Sequence, residues 1–229
     1  LLTTCNLLAY SWMPMTATRE EKNYARRIVR HLVKGYPDAK CALYYESPFQ
    51  LLIATILSAQ CTDERVNIVT KKLFEKYPTA FDLAVATQSQ IERIVKSAGF
   101  FRVKAKNIRG CASQLVEKFD GDPPQCLDDL VKLPGVGRKT ANVLLGTEFG
   151  IAAGVVVDTH VGRISRRLGL TSETDAVKVE RELMQVVAKK DWIYYSHRMI
   201  HHGRQVCDAR KPLCEECSMK RFCPRIGIN

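Results

Sequence analysis

The sequence predicts an all-α protein with roughly ten helices joined by short connections. Side chains that cap helix N-termini recur along the chain, and apolar residues follow them at spacings of three and four. Nothing alternates between apolar and polar with a period of two for more than a few residues. A chain of 229 residues can hold one large domain or two small ones, with an ample core.

The first three helices each begin at a capping residue. Thr18 and Glu21 form a capping box ahead of the first helix. Ser47 opens the second helix, with Pro48 at its first helical position, and Thr62 opens the third. The second helix is apolar on nearly every side, so we expect it to lie at the centre of the core.

The rest of the chain continues this pattern with one exception. Thr87 and Gln90 form another capping box, and a long basic amphipathic helix is predicted from Val103 to Phe119. The run Val155–Val157 is β-branched throughout and is the one segment with the character of a strand. Further helices are predicted over Thr159 to Leu168, Asp175 to Ala188 and Trp192 to His202.

The charge balance indicates a polyanionic partner. Lys and Arg number 35 against 24 Asp and Glu, which gives a net charge of +11. Nucleic acid fits this excess better than an anionic membrane surface. No apolar run approaches the roughly 20 residues that a membrane-spanning helix needs. Residues 1–17 lack the pattern of a secretory signal and are expected to form a loose tail.

Four of the nine cysteines lie within residues 207–223 and suggest a metal site. Four thiolates on one short segment can hold either a [4Fe–4S] cluster or a tetrahedral zinc ion, and spacing alone does not separate these. The segment has few apolar residues, so the metal would act as its core. The remaining cysteines are scattered and odd in number, which is typical of a reducing compartment and predicts a cytoplasmic protein. The four candidate ligands are Cys207, Cys214, Cys217 and Cys223.

A tight turn that leads directly into a helix is the clearest candidate for binding DNA. Pro134 fixes its own φ, while Gly135 and Gly137 allow left-handed backbone angles and leave room for a close ligand. Backbone amides at such a turn and helix end form an anion site suited to a DNA phosphate. Lys139 follows in the first turn of the helix, either as another phosphate contact or as a reactive amine. The residues assigned to DNA binding here are Leu133, Gly135, Val136, Gly137 and Arg138.

Three motifs, in this order, resemble the endonuclease III family. They are the turn and helix at residues 133–145, the segment Val157–His160 and the cysteine spacing. The family consists of helix-hairpin-helix DNA glycosylases with a [4Fe–4S] cluster, and the resemblance extends from about residue 19 to about residue 225. It implies two helical domains flanking a cleft. Residues 41–150 would form a six-helix domain with the hairpin, and residues 18–40 plus 151–229 the domain with the cluster loop.

The resemblance also implies a chemistry and a substrate. A bifunctional glycosylase and AP lyase would excise oxidised pyrimidines from double-stranded DNA and act on abasic sites, as a monomer associated with the nucleoid. Lys139 would attack C1′ of the deoxyribose and form a Schiff base, and β-elimination would break the strand. Asp158 matches the catalytic aspartate of the family and could stabilise the oxocarbenium ion or accept a proton.

Two further residues match the positions that fill the gap left by a flipped base. Gln60 matches the gap-filling glutamine of the family. Phe100 lies where the family places an apolar wedge, usually aliphatic, and an aromatic ring could serve by stacking. The structural alternatives are a surface residue at a helix end for Gln60 and core packing for Phe100.

Several other interpretations stay open on the sequence alone. Lys139 could be a simple phosphate contact, and Asp158 could act only as a helix N-cap. The protein could be a monofunctional glycosylase for mismatched adenine or thymine, although such relatives usually lack a lysine at position 139. It could also be a non-catalytic helix-hairpin-helix and zinc module that only binds DNA. We expect a structural role for His160 and a surface or DNA-facing position for His197 and His201.

Overall fold

The computed structural model of the protein describes residues 17–228, and over that range helices are the only regular secondary structure. The prediction of an all-α fold is confirmed, whereas most of the predicted tail lies outside the described residues. No helix in this part of the chain is long and apolar enough to cross a membrane. The α-helices are α1 (Arg19–Gly35), α2 (Pro48–Leu57), α3 (Asp63–Lys76), α4 (Ala80–Val85), α5 (Gln88–Val95), α6 (Phe101–Phe119), α7 (Leu127–Leu130), α8 (Arg138–Phe149), α9 (Thr159–Arg167), α10 (Ala176–Val186) and α11 (Trp192–Gln205).

The chain folds as two compact units, and the continuous one spans residues 42–151. Helix α2 lies at its centre, since every residue from Phe49 to Leu57 is buried. It contacts α3, α6 and α8. As predicted, α2 is apolar on nearly every side because other helices pack against it from several directions.

The second unit combines, among the described residues, 17–41 with 152–228. Its described core is formed by α1, α9, α10 and α11, with Ile28 and Leu32 of α1 packed among Ile164, Leu183 and Met199. Trp192 at the start of α11 is buried, and its indole N–H donates to the carbonyl of Val187 at 2.9 Å. That bond satisfies the polar edge of an otherwise apolar side chain.

Local capping signals mark the helix starts in the structure. The predicted boxes Thr18/Glu21 and Thr87/Gln90 both form. Ser47 and Thr62 also accept from backbone amides of the helices that they open. Two short helices, α4 and α7, were not predicted, because four to six residues give too little periodicity to detect.

The strand-like segment Val155–Val157 is not a strand in the structure. Val155 and Val157 are instead buried in the core of the discontinuous unit as an extended connection into α9. Burial in the core, and not pairing in a sheet, therefore explains the β-branched side chains of this segment. Several helix bounds also differ from prediction by one to three residues. Helix α6 begins at Phe101 rather than Val103, and α11 continues to Gln205 rather than His202. Helix α9 ends at Arg167 rather than Leu168, and α10 spans Ala176–Val186 rather than Asp175 to Ala188.

Candidate functional site

The hairpin turn, residues 133–137, is a tight turn between α7 and α8. The N–H of Val136 donates to the carbonyl of Leu133 at 3.1 Å, which closes the turn. Gly135 has φ +76° directly after Pro134, the combination that a type II turn requires. The side chains of Leu133 and Val136 are buried, with 4% and 5% exposed. These two residues anchor the turn and can offer only their backbone to a ligand.

The hairpin turn fits closely against α6. A Cβ atom added at Gly135 would lie 2.8 Å from Cβ of Asn107, which no ordinary contact allows. A Cβ added at Gly110 would lie 3.3 Å from Cγ of Pro134. Gly135 is therefore required both by its backbone angle and by the space available. Gly137 has neither restriction, because its φ is −90° and an added Cβ would meet nothing within 4 Å.

The N-terminus of α8 places first-turn backbone amides next to the amine of Lys139. Gly137 is the N-cap and supplies no side-chain cap, so the first-turn amides of α8 can serve a ligand. Lys139 is the second residue of α8 and is exposed. Lys139 therefore lies in the first turn of the helix, as the sequence predicts, with its side chain exposed beside the amides of that turn.

Asp158 is the N-cap of α9 and is half-buried. Its Oδ1 accepts from the N–H of Val161 at 2.8 Å. The capping role considered from the sequence is therefore real. It occupies one carboxylate oxygen and leaves Oδ2 as the candidate for chemistry at the sugar.

His160 is a packing residue of α9. Arg163 Nη2 lies 3.2 Å from His160 Nδ1, and since a guanidinium can only donate, Nδ1 acts as the acceptor. Burial lowers the pKa of His160, and the carboxylate of Asp158 partly opposes that shift. A Cβ added at Gly203 of α11 would lie 2.7 Å from His160 Nδ1. This close contact agrees with the structural role expected for His160.

Gln60 and Phe100 both lie at exposed tips of the continuous unit. Each has a left-handed backbone, with φ 51° for Gln60 and 45° for Phe100. The Gln60 side chain is exposed, and Phe100 is 70% exposed. Core packing therefore does not explain Phe100. Exposed non-glycine residues in strained conformations are typical of functional positions.

The cluster loop, residues 207–223, brings its four cysteines to the wall of one shared pocket. Donors point at the sulfur atoms: Arg167 Nη1 is 3.3 Å from Cys207 Sγ, and the N–H of Met219 is 3.4 Å from Cys217 Sγ. Burial raises the pKa of the Cys217 thiol, so metal binding would have to supply the energy for its deprotonation. Four sulfurs with N–H donors fit the ligand set of a [4Fe–4S] cluster.

Two arginines of α9 hold the start of the cluster loop. Arg167 donates to the carbonyls of Asp208 and Ala209 at 2.6 and 2.8 Å. Arg163 donates to the carbonyl of Cys207 at 3.0 Å. Sequence reasoning missed both residues. The signal that could have found them was their i, i+4 spacing on α9, which places two cations on one helix face.

Near the cluster loop, ion pairs involve some of the basic residues, and two histidines are partly buried. Glu215 forms ion pairs with Lys220 and Arg225. The basic residues of the cluster loop are thus partly neutralised by the loop itself. His197 and His201 are half-buried instead of lying freely on the surface, and burial lowers the pKa of His197.

Comparisons with known proteins agree with this arrangement. The profile of the HhH-GPD superfamily base excision DNA repair proteins matches residues 53–189, and that of the iron-sulfur binding domain of endonuclease III matches residues 207–223. Endonuclease III of Synechocystis sp. is 55% identical over 204 residues, covering 89% of this chain and 93% of that protein. Endonuclease III of Bacillus subtilis is 46% identical over 189 residues, covering 82% and 86%.

Solved structures of endonuclease III with DNA are also similar to this chain. A non-covalent endonuclease III–DNA complex is similar with a TM-score of 0.85 and 44% identity, covering 89% of this chain and 95% of that chain. A trapped endonuclease III–DNA covalent intermediate is similar with a TM-score of 0.85 and 43% identity, covering 89% and 96%.

Proposed function

The chain belongs to the endonuclease III family, and from this premise we propose that it excises oxidised pyrimidines from double-stranded DNA. Members of this family are DNA glycosylases with AP lyase activity in base excision repair, and this chain is one. The specific lesion class, the residues responsible and action as a monomer at the nucleoid belong to the proposal. The observation that carries it is the exposed Lys139 in the uncapped first turn of α8.

Lys139 is proposed as the nucleophile. Its neutral Nζ attacks C1′ of the damaged nucleotide, the C1′–N bond breaks, and the base departs with the bonding electron pair. The attached nitrogen then loses a proton, and its lone pair forms a C1′=N bond as the C1′–O4′ bond breaks. O4′ keeps that electron pair and takes up a proton, which leaves the opened sugar joined to Lys139 as a protonated Schiff base. Loss of the C2′ proton then expels the 3′ phosphate by β-elimination, and water releases the enzyme.

Asp158 is proposed as the carboxylate that assists this step. A negative charge near the sugar stabilises the oxocarbenium ion that develops as the base departs, and Oδ2 can accept a proton from the amine. Its bond to Val161 fixes the side chain in one orientation. Removing the charge while keeping the cap separates the two roles of this residue.

The hairpin turn is proposed to hold the DNA backbone while Gln60 and Phe100 fill the duplex. The amides around Gly135 and Gly137 would bind a phosphate, because small residues let the strand approach closely. Gln60 would occupy the space of the flipped nucleotide, and the ring of Phe100 would stack between neighbouring bases. Both side chains are exposed, as these roles require.

A [4Fe–4S] cluster is the cofactor of this family, and the cluster loop would hold it through Cys207, Cys214, Cys217 and Cys223. When bound, it supplies four metal–sulfur bonds that take the place of a hydrophobic core in the loop. Zinc, the alternative left open by the spacing, is not the metal of the matching iron-sulfur domain. The exposed basic residues Arg210 and Lys211 can then add to the attraction for DNA.

Borohydride trapping tests the nucleophile. Duplex DNA with one oxidised pyrimidine is incubated with the parent protein or with Lys139→Gln in the presence of borohydride. We expect a covalent protein–DNA adduct with the parent and none with the variant, with base release slowed by roughly 10³-fold or more. Unchanged thermal unfolding of the variant serves as the control, because Lys139 is exposed.

The pattern of adduct and release also separates the alternatives. Base release without an adduct would mean that water is the nucleophile, as in a mismatch glycosylase. Tight binding without either would favour the DNA-binding module. An adduct that persists in Lys139→Gln would move the nucleophile to another amine.

Asp158→Asn tests the carboxylate. Asparagine is an equally good N-cap, so the free energy of unfolding should stay within about 0.5 kcal/mol of the parent value. Single-turnover base release should fall by roughly 10²- to 10⁴-fold, because the charge is lost. Asp158→Ala should lose the cap as well, and with it about 1 kcal/mol of stability. Full activity of the asparagine variant would leave Asp158 as a cap only.

A further inference from the structure

Lys104 of α6 is a buried lysine with two backbone partners from separate segments. Only 5% of it is exposed. Its Nζ donates to the carbonyl of Leu57 at 2.9 Å and to the carbonyl of Ala98 at 2.5 Å. Leu57 and Ala98 lie 47 and 6 positions from Lys104 in the sequence, so a single ammonium joins two separate segments of the continuous unit.

Both carbonyls belong to the ends of helical segments. Leu57 is the last residue of α2, and Ala98 is the last residue of the 3-10 turn Lys96–Ala98. Carbonyls at a helix C-terminus have no partner within the helix, and a cation there interacts favourably with the helix dipole. Helix α2 has no basic residue of its own in the last turn. Lys104 supplies that cation from α6.

Each of these two segments leads directly to a proposed gap-filling residue. Gln60 follows Leu57 by three residues, and Phe100 follows Ala98 by two. Both residues have a left-handed backbone conformation, which residues other than glycine rarely adopt. The backbone N–H of Lys104 also donates to the carbonyl of Phe100 at 3.1 Å. Strained conformations of this kind persist only where the surrounding structure fixes them.

A lysine at this position carries a desolvation cost as well as its two hydrogen bonds. Burial lowers the pKa of Lys104, which means that the charged form is disfavoured there, although Cys61 opposes the shift. The two partners of Nζ are carbonyl dipoles, not carboxylates. An apolar side chain of similar length would avoid the desolvation of a charge. What it could not do is hold both carbonyls at once.

We propose that Lys104 is a positioning residue that fixes the Gln60 and Phe100 segments at one spacing, so that both side chains enter the DNA together when a base is flipped out. The inference rests on the proposed function in one respect, namely that Gln60 and Phe100 fill the gap. Lys104 itself is too deeply buried to touch the DNA. Its effect is confined to substrates from which a nucleotide must be extracted.

The test compares Lys104→Met with Lys118→Met. Methionine keeps the apolar stem and removes the ammonium, while Lys118 is an exposed lysine near the other end of the same helix. Base release is measured in single turnovers on duplex DNA with one oxidised pyrimidine and a fluorescent base analogue opposite the lesion. Schiff-base trapping is measured on a single-stranded oligonucleotide with one abasic site, where nothing has to be flipped.

For Lys104→Met we expect base release from the duplex, and the fluorescence change, to fall by roughly 10- to 100-fold, as misplaced groups typically produce. Trapping on the single strand should stay within roughly twofold of the parent value. Lys118→Met should leave both values unchanged. Equal losses on duplex and single strand would show a merely structural role and overturn the inference, as would no loss on either.

A double-mutant cycle keeps the inference testable if Lys104→Met does not fold. Gln60→Ala and Phe100→Ala are combined in the parent and in Lys104→Gln, whose polar end suits the site but is uncharged and one bond too short to hold both carbonyls. We expect the two alanine effects on base release to be non-additive in the parent and additive in Lys104→Gln. Additive effects in the parent, or coupling that survives in Lys104→Gln, would overturn the role of Lys104. If neither alanine variant slows base release, the gap-filling roles themselves are wrong, whatever Lys104 does.

Discussion

The hairpin turn and the cluster loop are both loops that carry functional groups, and they are held in different ways. The hairpin turn is fixed by close packing, with Leu133 and Val136 buried and Gly135 against Asn107. In the cluster loop only Met219 is buried, and the loop is held by cysteine sulfurs and by arginine hydrogen bonds from α9.

This difference shows what each loop needs to keep its shape. The hairpin turn inherits its geometry from the core of the continuous unit and needs no cofactor. The cluster loop buries too little apolar surface to offset the entropy of ordering its backbone, so bonds to the metal must supply the difference. Each region should therefore respond to a perturbation that leaves the other intact.

Removal of the cluster should give the largest effect and should be confined to one region. In Cys217→Ser, or after oxidative loss of iron, we expect amide protection in residues 207–223 to fall by roughly 100-fold or more, about 3 kcal/mol. Protection in α2 and α8 should not change. Hydrogen exchange, with the visible absorption of the cluster as the measure of loading, checks this. Loss of protection throughout residues 42–151 would contradict the division.

Gly135→Ala should damage the hairpin turn and spare the cluster loop. A left-handed alanine 2.8 Å from Asn107 should lower the free energy of unfolding by about 2 to 3 kcal/mol. Affinity for undamaged duplex should fall as well, while cluster absorption per protein stays the same. Gly137→Ala is the matched control, with an expected change of about 0.5 kcal/mol or less in stability. Equal destabilisation by the two variants would show that close packing at Gly135 is unimportant.

Arg167→Met should give the smallest of these effects, on the cluster loop alone. Losing the donors to Asp208 and Ala209 should lower the local opening free energy by about 2 kcal/mol. The cluster should then be lost faster in air, which its absorption reports directly. Arg166→Met serves as the control, because Arg166 donates to Glu173 outside the cluster loop. Cluster loss at the parent rate in Arg167→Met would leave the metal bonds as the only support of the loop.

Features that depend on neighbours in sequence could be predicted from the sequence. Thr18, Ser47, Thr62 and Thr87 are followed by the helices that they open. The hairpin motif and the cysteine spacing also led to the family, because a turn and a metal loop are specified by residues only a few positions apart. The short helices α4 and α7 were not predicted, because four to six residues show too little hydrophobic periodicity to detect.

Features that depend on distant segments were decided only by the tertiary structure. Val155–Val157 has the composition of a strand, yet burial in a helical core explains it. In the sequence Lys104 cannot be told from the other lysines, and only the fold brings its ammonium to the carbonyl of Leu57. In the same way, only the fold places the cluster loop beside Arg167. A sequence records which side chains can donate a hydrogen bond. Which carbonyls they meet across forty residues is set by packing, and that is why these two supports became visible only in the fold.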